Sequence, residues 1–82
     1  MLGEAIRKAR LKAGLTQEEL AFRASISRNY VSLLELGQKS PTVDTLLRIA
    51  QAMGTKASTL IDQVERQLPA GAAGGRAARR TR

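Results

Sequence analysis

The chain has 82 residues and a formal net charge of +7 at pH 7, and aromatic residues make up only 2% of it. This length allows one domain with a modest core, which must be built from aliphatic side chains and alanine. The excess of Lys and Arg favours a nucleic acid or another anionic surface as partner. The absence of Cys excludes a disulfide framework and thiolate metal sites, and it fits a reducing cytoplasm.

Catalysis and membrane insertion have no support in the sequence. With neither His nor Cys, the commonest general base and the strongest nucleophile are missing. Glu18 and Glu19 are neighbours, about 100° apart on a helix, so their carboxylates do not converge. No apolar run approaches the ~20 residues that cross a bilayer, and the N-terminus lacks a signal-peptide pattern. We expect a cytoplasmic, nucleoid-associated protein with no cofactor, no metal and no enzymatic activity.

The first part of the chain predicts two helices. Apolar residues recur along residues 2–13 with helical spacing, and Gly14 follows as a C-cap. The inward stripe is Leu2, Ile6, Ala9 and Ala13. Thr16 and Glu19 form a capping box that predicts a second helix over residues 17–24.

A turn and a third helix follow. Ser27 is placed to cap the third helix, which carries Val31 and Leu34 on its inner side and ends at Gly37. Its N-terminal edge, Ser27-Arg28-Asn29-Tyr30, is polar and basic on an otherwise apolar-backed helix. A helix with this character can enter the major groove of DNA.

The remainder predicts two more helices and a tail. Thr42 begins the fourth helix, Gly54 ends it, and the fifth covers about residues 57–68. The fifth helix is more apolar than its own core requires, so we hypothesise a two-fold dimer seam, with intramolecular packing as the alternative. The seam residues are Leu47, Ile61, Val64 and Leu68. Residues 69–82 are rich in Arg, Gly and Ala without an acid, and they predict a disordered basic tail.

Residues 17–36 and their flanks resemble the Cro and phage-repressor type of helix-turn-helix, the Xre family. The likeness is carried by LTQEELA, by apolar residues at Ile26, Val31 and Leu34, and by SPTVDTLLRIAQAMG. It covers residues 2–68 and implies an all-α, compact five-helix, lambda-repressor-like DNA-binding domain over residues 1–68. It also implies a homodimeric prokaryotic transcriptional regulator, such as a repressor, that binds an approximately palindromic double-stranded DNA operator.

The resemblance also assigns roles to individual residues. Base contacts are implied for Arg28 and Asn29, with Tyr30, Ser32 and Leu33 as further candidates. Contacts to the DNA backbone are implied for Gln17, Ser27, Gln38, Lys39 and Ser40. Arg10 and Glu35 match positions that form a partly buried ion pair between the first and third helices, which gives both a structural role.

Three positions depart from the family pattern. Ser25 stands where the family usually has a glycine with positive φ, which costs a non-glycine residue roughly 1–2 kcal/mol. Lys56 replaces a small hydroxyl cap before the fifth helix. Leu33 occupies a place that is often polar, where it contacts thymine methyl groups or forms a small exposed apolar site. Phe22 lies off the inner face of the second helix, and both packing under a loop and an interface role stay open.

Two other functions remain open at this point. An antitoxin-like protein-interaction module would bind a partner protein through the fifth helix or the tail. A non-specific nucleoid binder would use the same positive charge without reading a sequence.

Overall fold

Five α-helices joined by short turns make up residues 1–68, the part of the chain that this computed structural model describes. Their bounds are α1 Leu2–Lys12, α2 Gln17–Ala24, α3 Arg28–Glu35, α4 Val43–Ala52 and α5 Ala57–Gln67. The predicted all-α, five-helix architecture is therefore confirmed, with boundaries within one or two residues of those read from the sequence. The predicted disorder of residues 69–82 lies outside the described residues.

Hydroxyl side chains cap three of the helices at their first turn. Thr16 Oγ1 accepts a hydrogen bond from the Glu19 N–H at 3.0 Å, and Glu19 Oε1 accepts one from the Thr16 N–H at 2.8 Å. Ser27 Oγ caps α3 in the same way at 3.0 Å, and Thr42 Oγ1 caps α4 at 3.1 Å. Each cap satisfies a backbone donor that the helix itself leaves free. Lys56 makes no side-chain cap at α5, consistent with the departure seen in the sequence.

Left-handed residues end the first four helical segments. The glycines at 14, 37 and 54 have φ of 75°, 79° and 72°, and each follows the C-cap of a helix. Between α2 and α3 the same conformation falls on Ser25, with φ 60° and ψ 44°. The chain can therefore reverse sharply after each helix, although a side chain at position 25 carries a steric cost.

The core is a single aliphatic cluster drawn from all five helices. Its largest fully buried side chains are Ile6, Leu20, Val31, Leu34, Ile49 and Leu60. Ala13, predicted to face inward, is exposed at the C-cap of α1, and Ala5, which was not included in the predicted stripe, is only 2% exposed. Because α1 packs against both α3 and α5, its buried face is wider than the stripe inferred from spacing and includes Ala5 beside Ile6. Phe22 is 86% exposed, so the packing alternative for its side chain is wrong.

Close backbone packing joins the start of α1 to the end of α3. Gly3 is buried there, and a Cβ at this position would come 2.6 Å from the Glu35 carbonyl oxygen. Only glycine allows the two helices to approach so closely. On the other side of the molecule, α2 packs against α3 and α4, and α4 packs against α5. Within residues 1–68 no helix is long and apolar enough to cross a bilayer.

Candidate nucleic-acid interface

The turn between α2 and α3 fixes the direction in which α3 leaves the core. Ser25 reverses the chain, Ile26 packs against the core, and the Ile26 N–H donates to the Ala21 carbonyl at 2.9 Å. Ser27 then caps α3. Because Val31 and Leu34 are at most 1% exposed, the inner face of α3 is packed in the core, and its exposed residues lie on the opposite side.

The outer face of α3 begins with its most accessible side chains. Arg28 and Asn29 occupy the first two helical positions and are both exposed. The other three residues for which base contacts were predicted are half-buried. They are Tyr30, Ser32 and Leu33. Tyr30 packs partly against the core, so its ring lies at the border between the helix interior and the exposed edge. The structure thus presents one guanidinium and one carboxamide on a rigid element.

A network of four residues holds α1, the start of α2 and the end of α3 together. Arg10 Nε donates to Glu35 Oε2 at 2.6 Å, and Arg10 Nη2 donates to Glu35 Oε1 at 3.0 Å. The third guanidinium nitrogen, Nη1, donates to the Leu15 carbonyl at 2.9 Å. Gln17 Nε2 completes the network by donating to Glu35 Oε1 at 3.0 Å. The side chains of Arg10 and Glu35 are only 9% and 4% exposed, so this network sits inside the fold.

The network also sets the charge state of its two ionisable groups. Burial opposes ionisation of Glu35, but hydrogen bonds from Arg10 and Gln17, together with the charges of Arg10 and Arg7, outweigh it and hold the pKa of this carboxyl below its usual value. The hydrogen bond to Glu35 raises the pKa of Arg10 further above its already high value, despite partial burial. Both groups are therefore charged near neutral pH, and neither is free to reach a DNA base.

The loop after α3 is tied to the end of that helix. The Gln38 N–H and the Lys39 N–H both donate to the Leu33 carbonyl, at 2.9 and 3.3 Å. The side chains of Gln38, Lys39 and Ser40 are exposed. These hydrogen bonds hold the loop backbone at positions 38 and 39 against the end of α3.

The residues of the hypothesised dimer seam are only partly covered by the chain itself. Leu47 on α4 and Ile61 on α5 are 49% and 45% exposed, and Val64 and Leu68 are half-buried. Val64 also packs against the core, as the intramolecular alternative predicts for that position. Two apolar side chains on neighbouring helices therefore remain accessible.

Sequence reasoning missed the hydrogen bond from Gln17 to Glu35. Gln17 was assigned to the DNA backbone, yet its side chain is half-buried and uses one amide hydrogen inside the protein. No spacing rule could have revealed this contact, because the partners are 18 positions apart and meet only through the packing of α2 and α3. The Leu15 carbonyl, which accepts from Arg10, was also not foreseen.

Comparisons with known proteins place this geometry among related domains. A family profile described as Helix-turn-helix matches residues 6–60. The chain is 41% identical over 61 residues to the uncharacterised HTH-type transcriptional regulator y4dJ of Sinorhizobium fredii, covering 74% of this chain and 79% of that protein. The restriction-modification controller protein C.AhdI of Aeromonas hydrophila has a similar structure, with a TM-score of 0.70, 34% identity and coverage of 72% and 89%. The DNA-binding domain of the P22 C2 repressor is similar with a TM-score of 0.72, 26% identity and coverage of 74% and 80%.

Proposed function

The chain belongs to the helix-turn-helix family and is a DNA-binding regulator rather than an enzyme, and from this premise we propose that it reads a specific double-stranded DNA sequence as a homodimer. In this proposal α3 lies in the major groove and the protein regulates transcription. The observation that supports it most strongly is the exposed start of α3, where Arg28 and Asn29 stand on a helix whose inner face is buried.

Arg28 and Asn29 are the proposed base-reading residues. An arginine can donate two hydrogen bonds to O6 and N7 of guanine, and an asparagine can pair in the same bidentate manner with N6 and N7 of adenine. Each such contact discriminates against a wrong base by about 1–3 kcal/mol. Tyr30, Ser32 and Leu33 flank these two and would add smaller contacts, with Leu33 suited to the methyl group of thymine.

The residues proposed to hold the DNA backbone surround this edge. Gln17 donates one amide hydrogen to Glu35, so its second amide hydrogen is available to a phosphate oxygen. It stands at the first position of α2, where the helix dipole also favours an anion. Ser27 at the start of α3 would make a similar contact. The loop side chains Gln38, Lys39 and Ser40 would meet the backbone on the other side of the reading edge.

Dimerisation is proposed through the accessible apolar residues of α4 and α5. Leu47 and Ile61 would pack against the same residues of a second copy, with Val64 and Leu68 extending the seam. A two-fold pair of α3 helices reads two half-sites about 34 Å apart, which predicts an approximately palindromic operator. The similarity to a controller protein and to a repressor domain supports regulation of transcription as the outcome of binding.

The experiment begins with selection of binding sites from random duplexes by the purified 82-residue chain. We expect an approximately palindromic consensus. Binding to this consensus and to a random duplex is then measured for Arg28→Ala, Asn29→Ala and Lys39→Ala. The first two should weaken consensus binding by about five- to 150-fold and leave random binding nearly unchanged. Lys39→Ala should weaken both alike.

The exposed Lys8 on α1 provides the control for loss of a positive charge outside the interface. Lys8→Ala should change both affinities by less than Lys39→Ala does. Equal losses on consensus and random duplexes for the Arg28 and Asn29 variants would contradict base reading by α3.

A further inference from the structure

A groove of about 680 Å³ lies between α1 and α5, on residues that the proposed DNA interface does not use. Its lining comes from α1, from α5 and from the turn that joins α4 to α5. No lining residue belongs to α2, to α3 or to the loop at 38–40. We call this feature the α1–α5 groove. A molecule that binds there leaves the start of α3 uncovered.

The floor of the groove is apolar. Ala5, Met53 and Leu60 line it and are 2%, 8% and 0% exposed, and Ala9 beside them is half-buried. Two of these four residues are alanines on successive turns of α1, and their short side chains leave the depression open. The accessible apolar surface of the groove comes mainly from Ala9 and from the exposed Ala13, and its removal from water by apolar side chains stabilises a complex.

The rim of the groove is cationic. Lys8 and Lys12 stand on successive turns of α1 and are both exposed, and Arg66 lines the opposite side on α5. Among residues 1–68, no Asp or Glu lines the groove. Arg66 contacts Asp62 of its own helix at 2.9 Å, but these side chains are 77% and 53% exposed. An ion pair this exposed contributes little to the stability of the fold. Arg66 can therefore leave Asp62 and pair with a carboxylate of a ligand.

We propose that the α1–α5 groove binds an acidic amphipathic helix of a partner protein. The apolar face of such a helix would cover Ala9 and Ala13, above the buried Ala5 and Leu60, and its carboxylates would meet the cations of the rim. With 11 residues, α1 is about 16 Å long, which matches about three turns of a partner helix. The exposed Thr59 and Gln63 on α5 add hydrogen-bonding groups along one side.

The apolar floor and the cationic rim together favour an acidic amphipathic helix over a DNA backbone or a second copy of this chain as the ligand of the groove. A DNA backbone carries phosphates for the lysines but has no aliphatic side chains to cover the floor. A second copy of this chain is already assigned to the seam of Leu47 and Ile61, which do not line the groove. An acidic amphipathic helix satisfies both parts of the groove at once. The groove thereby provides a defined surface for interaction with a partner protein, independently of whether the proposed reading of DNA is correct.

The test uses a synthetic helical peptide of about 14 residues, with capped ends, leucines on one face and glutamates elsewhere. A matched peptide has glutamine in place of every glutamate. Fluorescence anisotropy measures the binding of each labelled peptide to the full 82-residue chain. The glutamate peptide should bind at least about tenfold more tightly, with affinity that falls as salt rises. In amide NMR spectra, shifts should appear at Ala9, Thr59 and Leu60 and be absent from Arg28 and Asn29.

Charge reversal on α1 provides the decisive comparison. Lys8→Glu combined with Lys12→Glu should weaken the glutamate peptide about five- to tenfold, and the corresponding glutamine pair should weaken it less. Arg23→Glu combined with Arg48→Glu makes the same change in net charge at exposed positions outside the groove, and it should alter binding by less than about twofold. A peptide with lysines in place of the glutamates should bind the Lys8/Lys12 reversal variant better than the native chain. Equal binding of the two original peptides, equal effects of the two reversals, or shifts confined to Leu47 and Ile61 would each overturn the proposal.

Discussion

Arg10 and Glu35, 25 positions apart in the chain, join α1 to α3 through two parallel hydrogen bonds of 2.6 and 3.0 Å. The planar guanidinium matches the carboxylate in a bidentate pair, and the remaining Arg10 donor reaches the Leu15 carbonyl. Since the two side chains are 9% and 4% exposed, solvent cannot replace either partner without rearrangement. The orientation of α3, and with it the proposed reading edge, therefore depends on a contact that does not itself face DNA.

Replacement of Arg10 by methionine should lower the free energy of unfolding by about 3 kcal/mol, because it leaves the Glu35 carboxylate buried without its cation. The double variant Arg10→Met/Glu35→Leu should recover at least half of that loss, because no unpaired charge remains. Arg66→Met breaks an exposed pair and serves as the control, with an expected change below about 0.5 kcal/mol. Urea unfolding measures all three. A loss no larger than that of the control would mean that the pair contributes little.

Acidification should weaken the fold through Glu35. The pKa of this carboxyl is lower in the folded chain than its ordinary value of about 4.3, so its stabilising effect is fully present above that value and is lost as the pH falls through the folded-state pKa. The stability of Glu35→Gln should accordingly fall less between about pH 5 and pH 3 than that of the native chain. Urea unfolding at several pH values provides the measurement.

In that experiment, the effect of protonating Glu19 must be distinguished from the effect of protonating Glu35. Hydrogen bonds from Thr16, the largest from its backbone N–H, also hold the pKa of Glu19 below its ordinary value, although this side chain is exposed. Glu19→Gln therefore provides the comparison, because it removes the charge of the capping box but leaves the buried pair intact. Parallel pH profiles for the native chain and Glu35→Gln would contradict the role assigned to Glu35.

Ser25→Gly should raise the stability of the protein by about 1 kcal/mol. The backbone at this position is left-handed, with φ 60° and ψ 44°, a conformation that glycine adopts without the clash of a Cβ. Ser27→Gly makes the same substitution at the N-cap of α3, where φ is −80°, and should lower stability by a few tenths of a kcal/mol. Thermal unfolding of both variants tests the sign of each change. A decrease for Ser25→Gly would show that the serine makes a compensating interaction.

Gln17→Met should affect both the fold and DNA binding. It removes the donor to Glu35 while keeping a side chain of similar length, which should cost about 1 kcal/mol of stability. If the second amide hydrogen meets a phosphate as proposed, affinity should fall to a similar extent on consensus and random duplexes. Unfolding and anisotropy measurements on the same preparation separate the two effects. A loss confined to the consensus duplex would instead make Gln17 a base-reading residue.

Ile61→Asp should dissociate the proposed homodimer, because it places a carboxylate at the centre of the apolar seam. The side chain is 45% exposed in the single chain, so the helix itself should remain folded. Val43→Asp makes an equivalent change at a residue that is 74% exposed and outside the seam, and it should leave the oligomeric state unchanged. Sedimentation of the native chain and of both variants provides the test. A native chain that is monomeric at high micromolar concentration would rule out the seam.

Local signals in the sequence were sufficient to predict the helices, but they were not sufficient to predict the contacts between the helices. The capping box at Thr16 and the glycines after α1, α3 and α4 are short-range features, so the boundaries could be predicted from neighbouring residues alone. The burial of Ala5 and the exposure of Ala13 depend on where α3 and α5 lie against α1. Alanine is compatible with either environment, and spacing alone could not decide between them.

In the candidate site, too, features within one helix could be predicted, whereas contacts between helices could not. The exposure of Arg28 and Asn29 follows from the amphipathic pattern of α3, in which Val31 and Leu34 define the inner face. The partner of Gln17 and the α1–α5 groove could not be predicted, because both arise where helices distant in sequence pack together. Neither leaves a signal in the spacing of any one helix.

Tyr30 gives the protein an optical property that follows from its position. It is the only tyrosine and the chain has no tryptophan, so emission excited at wavelengths that phenylalanine does not absorb comes from this one ring. That ring is half-buried at the start of α3, next to Arg28 and Asn29. A duplex that approaches this edge changes the surroundings of the only strong chromophore, whereas a ligand of the α1–α5 groove does not. The unlabelled chain can therefore report whether DNA is bound at the start of α3 or a ligand is bound in the α1–α5 groove.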